Sequence, residues 1–206
     1  MGGYDAILFD FDGVLVDSEP LHYRCWIEIL APWGFRMDWP TYAATAIGIT
    51  DRLMLSRFCE YANPPVTLET LLGTYPQKRE RFRELMAREL PFFEGYAEFL
   101  RSLDGYKLAV VSSSGRGEIE PALIQAGVRD SFAALVCGGD VKNPKPHPEP
   151  YLLAATQLGA KKPLVVEDSE AGEESGRAAG FDVIRVASPS EVPAAVRRRL
   201  NGSQSA

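Results

Sequence analysis

Tyr4-Asp5-Ala6-Ile7-Leu8-Phe9-Asp10-Phe11-Asp12-Gly13 is the stretch that decides the fold. Ala6 to Phe9 is continuously apolar, as strands buried on both faces are. The run then stops on two carboxylates. On an extended chain Asp10 and Asp12, two residues apart, point the same way out of the strand end. Like charges so close are costly unless a cation or a shared proton offsets them. A hard divalent cation such as Mg²⁺ does this with oxygen ligands. Gly13 permits a tight turn and is expected to leave a backbone N–H open to approach. Standing alone, Asp-x-Asp-Gly is as readily a solvated turn. The apolar run before it places these acids at a strand's carboxyl end.

Four further Val-, Ile- and Leu-rich runs follow: Leu108 to Val111, Ala134 to Cys137, Leu164 to Val166 and Val183 to Val186. Between them lie helix-like segments at Gly115 to Ala126, Glu149 to Leu158 and Ala171 to Ala179. A last helix is expected at Glu191 to Leu200, with Ser190 as its N-cap. Strand and helix alternating at these lengths give right-handed crossovers and an α/β fold, a Rossmann-like parallel sheet flanked by helices. Functional groups in such sheets gather at the carboxyl ends of the strands. Ser18 to Arg88 breaks the rhythm with helical patterning at His22 to Leu30, Asp51 to Tyr61 and Thr67 to Glu89. Asn63-Pro64-Pro65 marks a turn between the last two. The expected division is therefore a discontinuous α/β core, 1–17 and 89–206, with a small helical cap inserted at 18–88. Gly202 to Ala206 reads as a frayed tail.

Three more strand ends carry polar groups. Val111 runs into Ser112-Ser113-Ser114-Gly115, where hydroxyls and N–H groups before a helix form a cradle for phosphate oxygens, though taken alone such serines are more often ordinary N-caps. Lys145 stands between Pro144 and Pro146, which restrict the backbone and help to aim it. Val166 runs into Glu167-Asp168-Ser169, again either a turn or metal ligands. Each site alone is weak. Acids, hydroxyl, lysine and acids at four ends of one sheet are far more specific.

Composition excludes several classes. Of 206 residues 46% are hydrophobic and 24% charged, which is ordinary globular usage. No apolar run approaches the roughly 20 residues that span a bilayer. No basic region precedes an apolar stretch at the N-terminus, so no secretory signal is expected. Cys25, Cys59 and Cys137 are odd in number and widely spaced, suiting a reducing compartment and a cytoplasmic protein. With 22 basic against 28 acidic residues, net charge −6 and no long basic run, nucleic acid is a poor partner. No membrane partner is expected, and the chain is read as a monomer or weak dimer.

The order of these motifs resembles the haloacid dehalogenase superfamily, from Tyr4 to about Val186. Asp17-Ser18-Glu19-Pro20-Leu21-His22 and Glu167-Asp168-Ser169 look like its β-phosphoglucomutase-like subgroup, which carries a helical cap at this place. The resemblance implies an Mg²⁺-dependent phosphatase acting on a small phosphorylated metabolite. Asp10 would attack phosphorus, giving an aspartyl-phosphate, and Asp12 would serve as general acid and then base. Asp10, the Asp12 main-chain carbonyl and Asp168 would hold the metal, with Glu167 in support. Ser112 and Lys145 would hold the transferring phosphoryl oxygens. The dehalogenases lack the counterpart of Asp12, which argues against dehalogenation.

Substrate contacts are expected from Gly13, Glu19, His22, Thr50, Arg52, Ser113, Ser114 and Arg116, although a histidine early in a helix is more often structural. In the mutase an arginine after the cap loop grips the sugar's second phosphate. Here Asp51 takes that place and Arg52 is one residue late, which favours a phosphatase. The alternatives are a β-phosphoglucomutase-type phosphomutase and, from another class, a non-catalytic phosphate-binding or regulatory protein on this fold.

Overall fold

The computed structural model describes residues 3–47, 49 and 51–202, and the chain divides into two compact units, Met1–Asp17 with Leu90–Ala206, and Ser18–Glu89. In the first unit, strand β1 (Ala6–Phe9) is wholly buried.

The second unit is helical: α1 (Glu19–Leu30), α2 (Trp39–Thr45), α3 (Asp51–Cys59), α4 (Leu68–Leu72) and α5 (Tyr75–Glu89). Its core is aromatic and aliphatic, built on Trp26, Leu30, Phe35, Tyr42, Leu55, Phe58 and Leu71. Helix α2 has no counterpart in the sequence reading. Its signal was present, because the Asp38 side chain accepts from Thr41 N at 2.9 Å as N-cap and a proline sits in the first turn. The single helix expected from Thr67 to Glu89 is two. Thr67 caps α4 by accepting from Thr70 N, and the chain breaks at Gly73–Thr74. Pro76 supplies the reason: it has no N–H for the carbonyl of Leu72 and would crowd it in a continuous helix.

The remainder of the first unit runs α6 (Tyr96–Arg101), β2 (Lys107–Val111), α7 (Arg116–Gln125), β3 (Ala134–Val136), α8 (Glu149–Leu158), β4 (Pro163–Glu167), α9 (Glu170–Ala178), β5 (Asp182–Arg185) and α10 (Val192–Gly202). All strand pairs are parallel, in the order β3-β2-β1-β4-β5. Phe9 stands opposite both Val110 and Val166. The chain therefore leaves β1 to one side for β2 and β3, and to the other for β4 and β5. The crevice at that switch lies above the carboxyl ends of β1, β2 and β4, beside the residues that follow Phe9, Val111 and Val166.

Apolar side chains of β1, β2, β3 and β4 pack against Tyr151, Ala154 and Leu158 of α8. Phe9 is gripped edge-on by Phe99 and Phe132, with ring centroids 6.3 and 6.4 Å away. Ser190 is not the N-cap of the last helix. It lies inside a 3₁₀ turn, Pro189–Glu191, that precedes α10, because a proline at 189 starts a tight turn two residues earlier. Gly202, read as tail, closes α10.

Candidate active site

The sheet carries the backbone just past each strand. Asp10 N donates to Val166 O at 2.9 Å, and Ser112 N donates to Val136 O at 2.9 Å. Asp10 and Ser112 are consequently fixed at the crevice, and both are buried.

After Asp10 the chain turns sharply. Gly13 N donates to Val16 O at 2.8 Å and Val16 N to Phe11 O at 3.1 Å, while Gly13 takes a φ of +76°. The expected open N–H at Gly13 is thus corrected: the turn consumes it. Glycine is required here for another reason as well. A Cβ at this position would run into the Asp168 carboxylate.

Lys145 reaches the centre of the site from the loop between β3 and α8. Its Nζ donates to Asp10 Oδ1 at 2.5 Å, Glu167 Oε1 at 2.5 Å and Val111 O at 2.9 Å. Three bonds use all three ammonium hydrogens. Burial alone would lower the Lys145 pKa, but Asp10 and Glu167 outweigh it and raise it. The loop is held from behind. Glu149 accepts from Lys142 N, Asn143 N and Asn143 Nδ2 at 2.9, 3.1 and 2.7 Å, and Ser175 Oγ donates to His147 O at 2.6 Å.

Glu167 is fully buried and saturated. Oε1 accepts from Lys145 and from the Tyr151 hydroxyl at 2.6 Å; Oε2 accepts from Asp168 N, Ser169 N and Ser169 Oγ at 3.1, 3.2 and 3.0 Å. Burial opposes its charge, yet Lys145 and these donors hold its pKa below the usual carboxylate value. Its neighbours differ. Burial, joined by the charges of Glu167 and Asp12, pushes Asp168 up to about 6. Asp10 is raised well above an ordinary aspartate, chiefly by burial, with Lys145 opposing and Glu167, Asp12 and Asp168 adding.

Oxygens of Asp10, Glu167 and Asp168 lie within 4.8 Å of one another. The donor set fits a hard divalent cation: all oxygen, clustered, with two carboxylates whose pKa values are raised first by burial and then by neighbouring negative charge, both of which a cation would offset. Because Glu167 is already satisfied by five donors, Asp10 and Asp168 are the carboxylates suited to ligation, and Glu167 suits the supporting role.

On β2's side, Ser112 Oγ accepts from Ser114 N at 3.0 Å, and Ser114 Oγ donates to Asp12 Oδ2 at 3.0 Å. Ser113 is exposed, its carbonyl packed on Gly138. Arg116 is committed elsewhere: its Nη2 donates to Leu135 O and Asp140 Oδ2 at 3.0 and 2.8 Å, so it braces the end of β3.

In the helical unit, the His22 ring lies flat on Phe82 with centroids 4.2 Å apart, and its Nδ1 is 2.7 Å from Lys78 Nζ. Asp51 accepts from Trp26 Nε1 at 3.2 Å and stands 3.9 Å from Lys78. Glu19 lies in the first turn of α1, and Arg52 is exposed. Thr50 lies outside the described residues. Two buried groups escaped the sequence reading. Lys78 sits among charged residues of a surface-like helix, with nothing local to mark it as buried. Tyr151 follows Lys145 by six residues in an apolar helix face and reads as core.

A parallel sheet with acids, serine, lysine and acids at its switch point defines a phosphoryl-site α/β hydrolase fold. Residues 7–186 match the haloacid dehalogenase-like hydrolases, and the chain belongs to that family. It is 30% identical over 182 residues to a phosphorylated carbohydrates phosphatase of Thermotoga maritima, covering 87% of this chain and 83% of that protein. It is 29% identical over 189 residues to fructose-1-phosphate phosphatase YqaB of Escherichia coli, covering 89% and 96%. Its fold superimposes on a β-phosphoglucomutase of Clostridium difficile with TM-score 0.74 at 21% identity, covering 99% and 100%. No helix among the described residues is long and apolar enough to cross a membrane.

Proposed function

We propose that the protein is an Mg²⁺-dependent phosphatase that releases phosphate from a small phosphorylated sugar through an aspartyl-phosphate on Asp10. The observation that carries this reading is the Lys145 ammonium bonded at once to Asp10 and Glu167, with Asp168 alongside. The names of the two phosphatase relatives support the substrate class.

Lys145 occupies Asp10 Oδ1, which leaves Oδ2 to attack phosphorus. As the Asp10–phosphorus bond forms, the ester bond breaks, and the leaving oxygen takes a proton from Asp12. Water then attacks the aspartyl-phosphate, giving its proton to Asp12, and inorganic phosphate departs with Asp10 regenerated. Ser112 holds a phosphoryl oxygen throughout, and Lys145, whose three hydrogens go to Asp10, Glu167 and Val111, contributes its positive charge beside the transferring group. Mg²⁺ held by Asp10 and Asp168 would supply the positive charge that draws the phosphate into an acidic cluster. Selection among esters is assigned to Glu19, His22 and Arg52 of the helical unit. Asp51, where the mutase has its arginine, makes water the acceptor.

The test is phosphate release from a panel of sugar phosphates, with and without Mg²⁺, with Asp10→Asn as control. Metal-dependent release by the wild type and none by the variant is expected. Isomerised product without free phosphate, or turnover retained by Asp10→Asn, overturns the reading.

A further inference from the structure

We propose that Ser114 is a positioning residue for Asp12, holding the proton-transferring carboxylate rather than the substrate; the inference rests on the phosphatase reading above. The Ser114 backbone is fixed on both sides. Its N–H donates to Ser112 Oγ at 3.0 Å, and its carbonyl accepts from Gly138 N at 3.0 Å. Gly138 packs so closely on the Ser113 carbonyl that a Cβ there would overlap it, which ties the serine turn to the end of β3. With the backbone anchored, the aim of the Ser114 hydroxyl is a single χ1 choice. It donates to Asp12 Oδ2 at 3.0 Å. Asp12 itself sits in the turn closed by the Gly13–Val16 bond. Two rigid turns, from β1 and from β2, therefore meet through one hydroxyl–carboxylate bond.

The chemistry needs such a bond. Asp12 must face the leaving oxygen in one half-reaction and the attacking water in the next, and small misplacements of a reacting group are costly in rate. The neighbouring serine is arranged differently. Ser112 Oγ accepts the Ser114 N–H and keeps its own hydrogen to donate to a phosphoryl oxygen. The two hydroxyls of one turn thus divide the work between phosphate and proton donor.

This division is tested with leaving groups. An aryl ester such as p-nitrophenyl phosphate expels a stable anion and needs little acid assistance, whereas a sugar phosphate expels a basic alkoxide. kcat/KM reports the steps up to transfer onto Asp10. Ser114→Ala is expected to lower kcat/KM about 10- to 100-fold for the sugar phosphate that the wild type hydrolyses fastest, and less than about threefold for p-nitrophenyl phosphate. Ser114→Thr, which keeps the hydroxyl, restores the sugar-phosphate rate. Equal losses on both esters, or no restoration by threonine, overturn the role of Ser114 while wild-type turnover still supports the phosphatase. A wild type that hydrolyses no sugar phosphate overturns the phosphatase reading itself.

Discussion

The Tyr151 hydroxyl donates to Glu167 Oε1 at 2.6 Å, on the same oxygen that receives Lys145. Both residues are fully buried, and the Lys145 ammonium lies 5.0 Å over the Tyr151 ring centre. Tyr151 remains a donor, because burial and the charge of Glu167 push its pKa well above the ordinary tyrosine value. Tyr151→Phe removes one donor and leaves Glu167 with four. We expect a stability loss of about 1–3 kcal/mol in urea unfolding. A modest fall in kcat should accompany it, as Lys145 loses part of the anchor that aims it. Unchanged stability and turnover would show the hydroxyl to be a bystander.

Lys145→Met should cost far more. It leaves Asp10 and Glu167 as two buried carboxylates without their shared cation, and breaking a buried pair from one side costs about 3–5 kcal/mol. Activity should also disappear, since Asp10 then holds its proton more firmly and the site loses its ammonium charge. The checks are denaturant unfolding at pH 7 and phosphate release. A stable, active Lys145→Met protein would remove the lysine from the centre of the site.

Much of this site was legible from Phe9, Val111 and Val166, because a buried strand must end in its polar residues at a defined edge. Lys145 was aimed from sequence by its prolines. What was hidden depends on packing over distance. Tyr151 looks like any apolar helix residue until α8 sets it beside Glu167. The Gly13 N–H looked open because its acceptor, Val16, is chosen by the turn. Arg116 looked available because Asp140, its partner, is 24 residues away. In the helical unit Pro76 announced a break that an unbroken apolar periodicity concealed.

Gly172→Ala tests how tightly Glu167 is boxed in. A methyl at 172 would overlap the Glu167 carboxylate, which cannot retreat without dropping Lys145 or the Ser169 bonds. Overpacking of this kind costs about 1–3 kcal/mol. Urea unfolding should show that loss together with reduced kcat. A neutral Gly172→Ala would mean that α9 can move away from Glu167 freely.

Asp168 provides the pH test. Its pKa is raised to about 6 in the folded protein, against an ordinary aspartate value when unfolded. A raised carboxylate contributes stability while protonated and loses that contribution as pH climbs through the folded value. Without metal, the wild type should therefore lose stability relative to Asp168→Asn between about pH 4 and pH 7. The gap approaches about 3 kcal/mol at 1.36 kcal/mol per unit, and it closes again at pH 4. Mg²⁺ should reverse the order at pH 7. At a thousand times its dissociation constant a ligand adds about 4.1 kcal/mol to the protein that binds it, which exceeds that gap, and Asp168→Asn lacks the carboxylate proposed to ligate the ion. Thermal melts of both proteins at the two pH values, with EDTA and with Mg²⁺, decide the matter. A wild type that Mg²⁺ stabilises no more than the variant would take Asp168 out of the metal site.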